Sequence, residues 1–118
     1  MEPAHAAPRI CHVVMWHLKK EALGRSLRDN ALSLKARLES LVAVPGVEYL
    51  HVGVDARRRA NSADVVMISR FRDQAALDAY HDHPLHVAVK DYIDQIRERS
   101  TVVDFPEEPS PPLSRDDG

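Results

Sequence analysis

The sequence predicts an α+β fold in the order β-α-β-β-α(α)-β, with a four-stranded antiparallel sheet carrying its helices on one face. Three observations lead there. Four short segments are dense in β-branched and aromatic residues. A longer one repeats leucine at three- and four-residue steps. A proline divides the last helical segment in two.

The first strand is "ICHVVMWHL", residues 10–18, too short for a good helix and rich in Val and Ile. Period two puts Ile10, His12, Val14 and Trp16 on one face and Cys11, Val13, Met15 and His17 on the other. Over residues 21–41, Leu23, Leu27, Leu34, Leu38 and Leu41 form the apolar stripe of an amphipathic helix. Gly24 weakens its first turn and allows a later start. Pro45-Gly46 marks a turn. It leads into a second strand, "VEYLHVGV" at 47–54, whose Gly53 suggests a bulge or a close backbone approach. A polar loop then leads to the third strand at 64–71, and its shortness favours antiparallel pairing.

Asp73 is placed to cap a helix carrying Ala76, Leu77 and Tyr80, which stops near His83 because the residue before Pro84 is pushed out of the α region. Pro84 then opens another helix, where a missing N–H costs nothing, running to about Arg99. There Arg97 and Arg99 would suit the negative end of its dipole. "STVVDF", residues 100–105, closes the domain as the fourth strand. Residues 1–8 and the Pro-rich 106–118 have the composition of disordered ends, leaving one domain at 9–105. This order is the ferredoxin-like arrangement. Both faces of its sheet are mostly apolar, so the face without helices is expected to meet a second copy of the chain and form a homodimer.

Composition narrows the function classes. The 118 residues carry 16 Lys and Arg against 18 Asp and Glu, a formal charge of -2, so no broad basic field exists to hold nucleic acid. The run Arg57-Arg58-Arg59 lies in a polar loop and reads as solvated. A single cysteine, Cys11, excludes an intrachain disulfide, and no apolar run suits a membrane span or a signal peptide. A soluble, cytoplasmic protein without membrane partners is the default expectation.

The densest chemistry is "DAYHDHPLHVAV" at 78–89, where Tyr80, His81, His83 and His86 surround Pro84. His81, His83 and His86 straddle a helix end, so a native metal site is not expected, and no cofactor is implied. His86 falls in the first turn after Pro84, where the positive helix end disfavours an imidazolium and keeps the ring neutral and basic. It has two readings: a general base, or a corner residue bonded to backbone. His83 reads as a cap or corner residue, His81 as surface, and Tyr80 either as a core aromatic or as a hydrogen-bond donor.

With "HVVMWHL", "VPGVEYLHVGVD", Asp64 with Phe71, and above all Tyr80, His83-Pro84 and His86, the chain resembles the stress-responsive dimeric α/β-barrel (Dabb) family over about residues 9–105. It is more distantly similar to the plant polyketide (olivetolic acid) cyclase branch of that family. The resemblance implies a dimeric α+β barrel. It also implies cofactor-free acid/base chemistry on a small hydrophobic or polyketide-like compound, with Tyr80 and His86 catalytic. His12, Val14, Trp16, Val65, Met67 and His83 are then expected to contact substrate. Val65 stands where the cyclase has a further pocket histidine, so the substrate contacts are expected to differ. The alternatives are a non-enzymatic stress or ligand-binding dimer and a cofactor-free monooxygenase-like barrel, the latter drawing on Trp16 and His12.

Overall fold

The computed structural model describes residues 7–109. Its central strand is β1 (Ile10–Leu18), followed by a two-stranded ribbon, β2 (Glu21–Ala22) and β3 (Arg25–Ser26). Helix α1 (Leu27–Glu39) passes through a 3-10 turn at Ser40–Ala43 into β4 (Val47–Val54) and then β5 (Val65–Phe71). Two helices, α2 (Gln74–Asp82) and α3 (Pro84–Ile96), precede the long edge strand β6 (Arg97–Pro106).

The sheet order β4-β5-β1-β6, antiparallel throughout, is the ferredoxin-like order expected from the sequence. Alternation along β1 decides which side chains meet the helices. Ile10, His12, Val14, Trp16 and Leu18 are buried, and their intervening neighbours are not. The register sets His12 between Ser69 on β5 and Asp104 on β6, Val14 between Met67 and Val102, and Trp16 between Val65 and Ser100.

Helix α1 buries Ala31, Leu34 and Leu38 against this face, with Leu41 continuing the stripe from the 3-10 turn. Burial of that stripe, more than helix propensity, holds a helix of this length in place. Asn30 is fully buried, yet its polar atoms are used: its amide donates to the Ala22 carbonyl at 3.0 Å, and its side-chain oxygen accepts from the Tyr92 hydroxyl at 3.0 Å. These bonds tie α1 to the ribbon and to α3. The Arg37 guanidinium closes the other side of Tyr92, 4.0 Å from the ring centre.

Four expectations are corrected. Residues 21–26 are not helical, because Leu23 and Gly24 both have positive φ, 56° and 70°, and turn the chain back on itself. Ser26 then caps α1 by accepting from the Asp29 N–H at 3.1 Å, and Leu23 is left exposed rather than joining the core. Helix α3 ends at Ile96, not near Arg99. Its last carbonyls are met by Lys19, through the backbone N–H to Ile96 at 2.9 Å and the side chain to Gln95 at 3.4 Å. Arg97 and Arg99 are therefore strand residues, and Pro106 lies in β6 rather than in a tail. Gly53 pairs regularly with Val66, and the register shift of β4 falls between Val47 and Tyr49 instead. The expectation of disorder for 1–6 and 110–118 lies outside the described residues.

At the Pro45-Gly46 turn, Gly46 has φ 91°, and a Cβ there would meet the Ala76 Cβ at 2.7 Å. Gly24 also has positive φ but open space around it. Gly46→Ala is expected to lower unfolding stability by about 2–4 kcal/mol, combining backbone and packing strain, against about 1 kcal/mol for Gly24→Ala. Denaturant titration measures both, and equal losses would contradict the steric account.

Candidate functional site

The site is built around the helix break. Asp73 caps α2 by accepting from the Ala76 N–H at 2.8 Å, and the helix stops when His83 takes an extended ψ of 137° ahead of Pro84. His83 Nδ1 then accepts the Leu85 N–H at 3.1 Å and caps α3. In an unbroken helix that N–H would go to the His81 carbonyl. Here the carbonyl is free, and His86 Nδ1 lies 3.1 Å from it.

A carbonyl only accepts, so the Nδ1 of His86 carries the proton and the lone pair of the neutral ring sits on Nε2. The His86 pKa is lowered from the ordinary histidine value, chiefly by burial and then by the neighbouring His81, with smaller effects of His12 and Lys90; the backbone bond opposes them in part. Tyr80 is 1% exposed and packs 4.6 Å from His86 and 4.8 Å from Phe71, centre to centre. Burial pushes its phenol well above the ordinary tyrosine value, so it stays a hydrogen-bond donor across the physiological range.

His12 rises from β1 beneath these rings. Its Nδ1 is 2.5 Å from Asp104 Oδ1 on the neighbouring strand, so the carboxylate holds the ring with Nδ1 protonated. Its own carbonyl accepts from the buried Ser69 hydroxyl at 2.8 Å. His81 bridges the two, with ring centres 5.5 Å from His12 and 5.2 Å from His86.

A cavity of about 180 Å³ opens beside this cluster, between the sheet and α3. Val14, Trp16 and Met67 form its sheet side and Ile93 its helix side. Tyr80, His81, His86 and His12 make the polar wall, and Lys90, Arg97, Ser100 and Val102 lie toward β6. Of the residues the sequence singled out, Tyr80, His86, His12, Val14, Trp16 and Met67 thus come together. Val65 is buried outside this cavity and borders a separate hollow of about 340 Å³ beside Gly53 and Ser62. His83 is occupied as a cap and does not line the cavity. His81 is exposed on one side, but its ring also forms part of the wall.

The sequence did not point to Asp104 as a partner of His12. Period two over 100–105 sets Ser100, Val102 and Asp104 on one face, and only the register shows which residues they oppose. Cys11 lies on the other sheet face, and partial burial with Glu107 nearby raises its thiol pKa, so it is no ready nucleophile. Among the described residues, no group of three or more His, Cys, Asp and Glu is arranged to hold a metal ion, and no helix is long and apolar enough to cross a membrane.

A family model described as Dabb, "Stress responsive A/B Barrel Domain", matches residues 10–107. The chain is similar in structure to a dimeric ferredoxin-like protein of unknown function from Thermobifida fusca, with 20% identity, TM-score 0.75 and 90% and 97% of the two chains covered. It is also similar to a Dabb family protein with a ferredoxin-like fold from Mesorhizobium loti, with 26% identity, TM-score 0.66 and 86% and 99% covered. A protein from Arabidopsis thaliana matches with 21% identity, TM-score 0.67 and 88% and 99% covered. No curated protein is a significant match to this chain.

Because burial and like charge hold the imidazolium of His86 unfavourable, the ring is expected to titrate below the ordinary value of about 6.5. The sign for stability follows: the contribution is complete above about pH 6.5 and is lost as pH falls through the lower folded-state value. Proton NMR of the histidine rings reads the midpoint. A midpoint at or above that of free histidine would contradict this electrostatic picture, and His81→Ala is expected to move it upward.

Proposed function

We propose that this chain, which belongs to the stress responsive A/B barrel (Dabb) family, binds a small, mainly apolar compound in the cavity between sheet and α3 and converts it by cofactor-free acid/base chemistry. The observation that carries the reading is the bond from His86 Nδ1–H to the His81 carbonyl, 3.1 Å, which leaves Nε2 as a base at the cavity wall. Geometry comes first for a general base, and a neutral imidazole then suits work near pH 7.

The chemistry fits a substrate with an acidic C–H beside a carbonyl. His86 Nε2 takes that proton, the C–H electron pair passes into the carbonyl as an enolate, and the Tyr80 hydroxyl donates to the developing oxyanion. In an aldol closure the enolate carbon then forms a bond to a second carbonyl, whose oxygen regains a proton from the imidazolium. A polyketide-like chain carries both groups. The elevated Tyr80 pKa supports its part as donor rather than base.

The chain is also proposed to act as a homodimer joined through the sheet face opposite the helices. Met15, Ile68, Val103 and Phe105 lie exposed on that face, an apolar surface of the kind that marks an interface. The Thermobifida fusca neighbour is described as dimeric. Ile68→Asp is expected to give a folded monomer by light scattering, and an unchanged dimer would place the interface elsewhere.

Thermal-shift screening with small aromatic ketones and β-keto compounds, followed by turnover assays on the ligands found, tests the cavity reading. His86→Ala is expected to lower turnover about a hundredfold or more, and Tyr80→Phe by a similar order, while ligand-induced stabilisation persists. Stabilisation without turnover in the parent would leave a binding protein. The same responses and turnover in all three proteins would remove Tyr80 and His86 from the site.

A further inference from the structure

The charged side chains that line the cavity are of one sign. Among its described lining residues there is no carboxylate, and the charged ones are Lys90 and Arg97. Both cations lean on a single counter-ion: Lys90 Nζ is 3.0 Å from Asp94 Oδ2, and Arg97 Nη2 is 2.9 Å from Asp94 Oδ1. Two cations share this one carboxylate, and the other carboxylate near the cavity, Asp104, is engaged by His12.

Arg97 is suited to meet an anion, because its carboxylate partner is shared with Lys90. It is the first residue of β6, and its Nη1 lies 3.4 Å from the hydroxyl of Ser100, which also lines the cavity. Two of its five N–H groups are engaged in this way, and the planar fork matches a carboxylate. Trp16 and Val14 lie beside Ser100 and Val102 on the neighbouring strand, Met67 and Ile93 also line the cavity, and Val102 remains 53% exposed. The cavity thus offers apolar surface for a ligand's body directly beside a cationic edge suited to a single negative charge.

We infer that the ligand of this cavity is a small amphipathic carboxylate, whose apolar body lies on Trp16, Val14 and Ile93 and whose carboxylate is held by Arg97 and Ser100 with Lys90 beside it. This deepens the reading of the cavity as the ligand site and rests on it. Asp94 is the internal competitor: the incoming carboxylate takes Arg97 partly away from it. A bound carboxylate also offsets the Lys90 charge that acts on His86.

Trp16 is the only tryptophan in the chain and lines the cavity, so its fluorescence reports occupancy directly. The probes are octanoate and octanol, matched in apolar length and differing in charge. In the full chain octanoate is expected to bind about tenfold more tightly than octanol, the order of one charge-assisted hydrogen-bonded contact, with the preference shrinking as salt rises. Arg97→Met should abolish the preference by weakening octanoate far more than octanol, Lys90→Met should reduce it, and Asp94→Asn should increase it. Should Arg97→Met prove unfolded by circular dichroism, the opposite shifts in Lys90→Met and Asp94→Asn still decide the matter. Equal binding of the two probes, or a preference that survives in folded Arg97→Met, overturns the carboxylate assignment and leaves the cavity reading standing. No fluorescence response to either probe overturns both.

Discussion

The proline ring at residue 84 denies His83 the helical conformation, and the geometry of the site depends on that single steric exclusion. With the α region closed to it, His83 becomes a cap, its Nδ1 takes the Leu85 N–H, and the His81 carbonyl loses the partner it would have in a continuous helix. His86 fills that vacancy. The imidazole is therefore oriented by a backbone bond created by the break, with Nε2 left without a protein partner. Tyr80, in the last full turn of α2, comes against the same ring, and His81, ahead of the corner, lies between His86 and His12 on the central strand.

The price of this arrangement is polar groups in a place that packing alone would fill with apolar ones. His12 and Ser69 are buried on the helix-facing side of the sheet, and each is satisfied across the strands: His12 by Asp104, and the Ser69 hydroxyl by the His12 carbonyl. Asn30 and Tyr92 show the same economy without lining this cavity, and there the bonds brace α1 against α3. The difference is that the His12 cluster borders open volume. Oriented polar groups beside a cavity, with imidazole nitrogens such as Nε2 of His86 and of His12 left without a protein partner, suit a ligand site.

Much of this was legible in the sequence, because the signals that carried it are local. Period two on residues 10–18 put His12, Val14 and Trp16 on one face, and Pro84 announced the corner. The element order followed from four β-rich runs and a leucine stripe. What stayed illegible depends on pairing or on turn geometry. Leucine spacing carried the first helix back over Leu23, where a left-handed turn, marked only by Gly24 and the capping Ser26, overrides the pattern. The place of α3's last turn was set by Lys19, far away in sequence. Asp104, Arg97 and Ser100 join the site through the β1–β6 register, which no periodicity reveals. Val65 was expected in the pocket from a position matched along the chain, and the cavity lies further toward β6.

The central claim is that ligand enters between the sheet and α3 and meets His86, not the apolar face on the other side of the sheet. Five histidines of the described residues other than the capping His83 divide cleanly for a test: His12, His81 and His86 at the cavity, and His17 and His51 on the opposite face. Nitrogen-detected NMR of the histidine-labelled protein, titrated with octanol, reads all of them at once. Saturable shifts of His12, His81 and His86 are expected, with His17 and His51 unmoved. Shifts confined to His17 and His51 would contradict that claim.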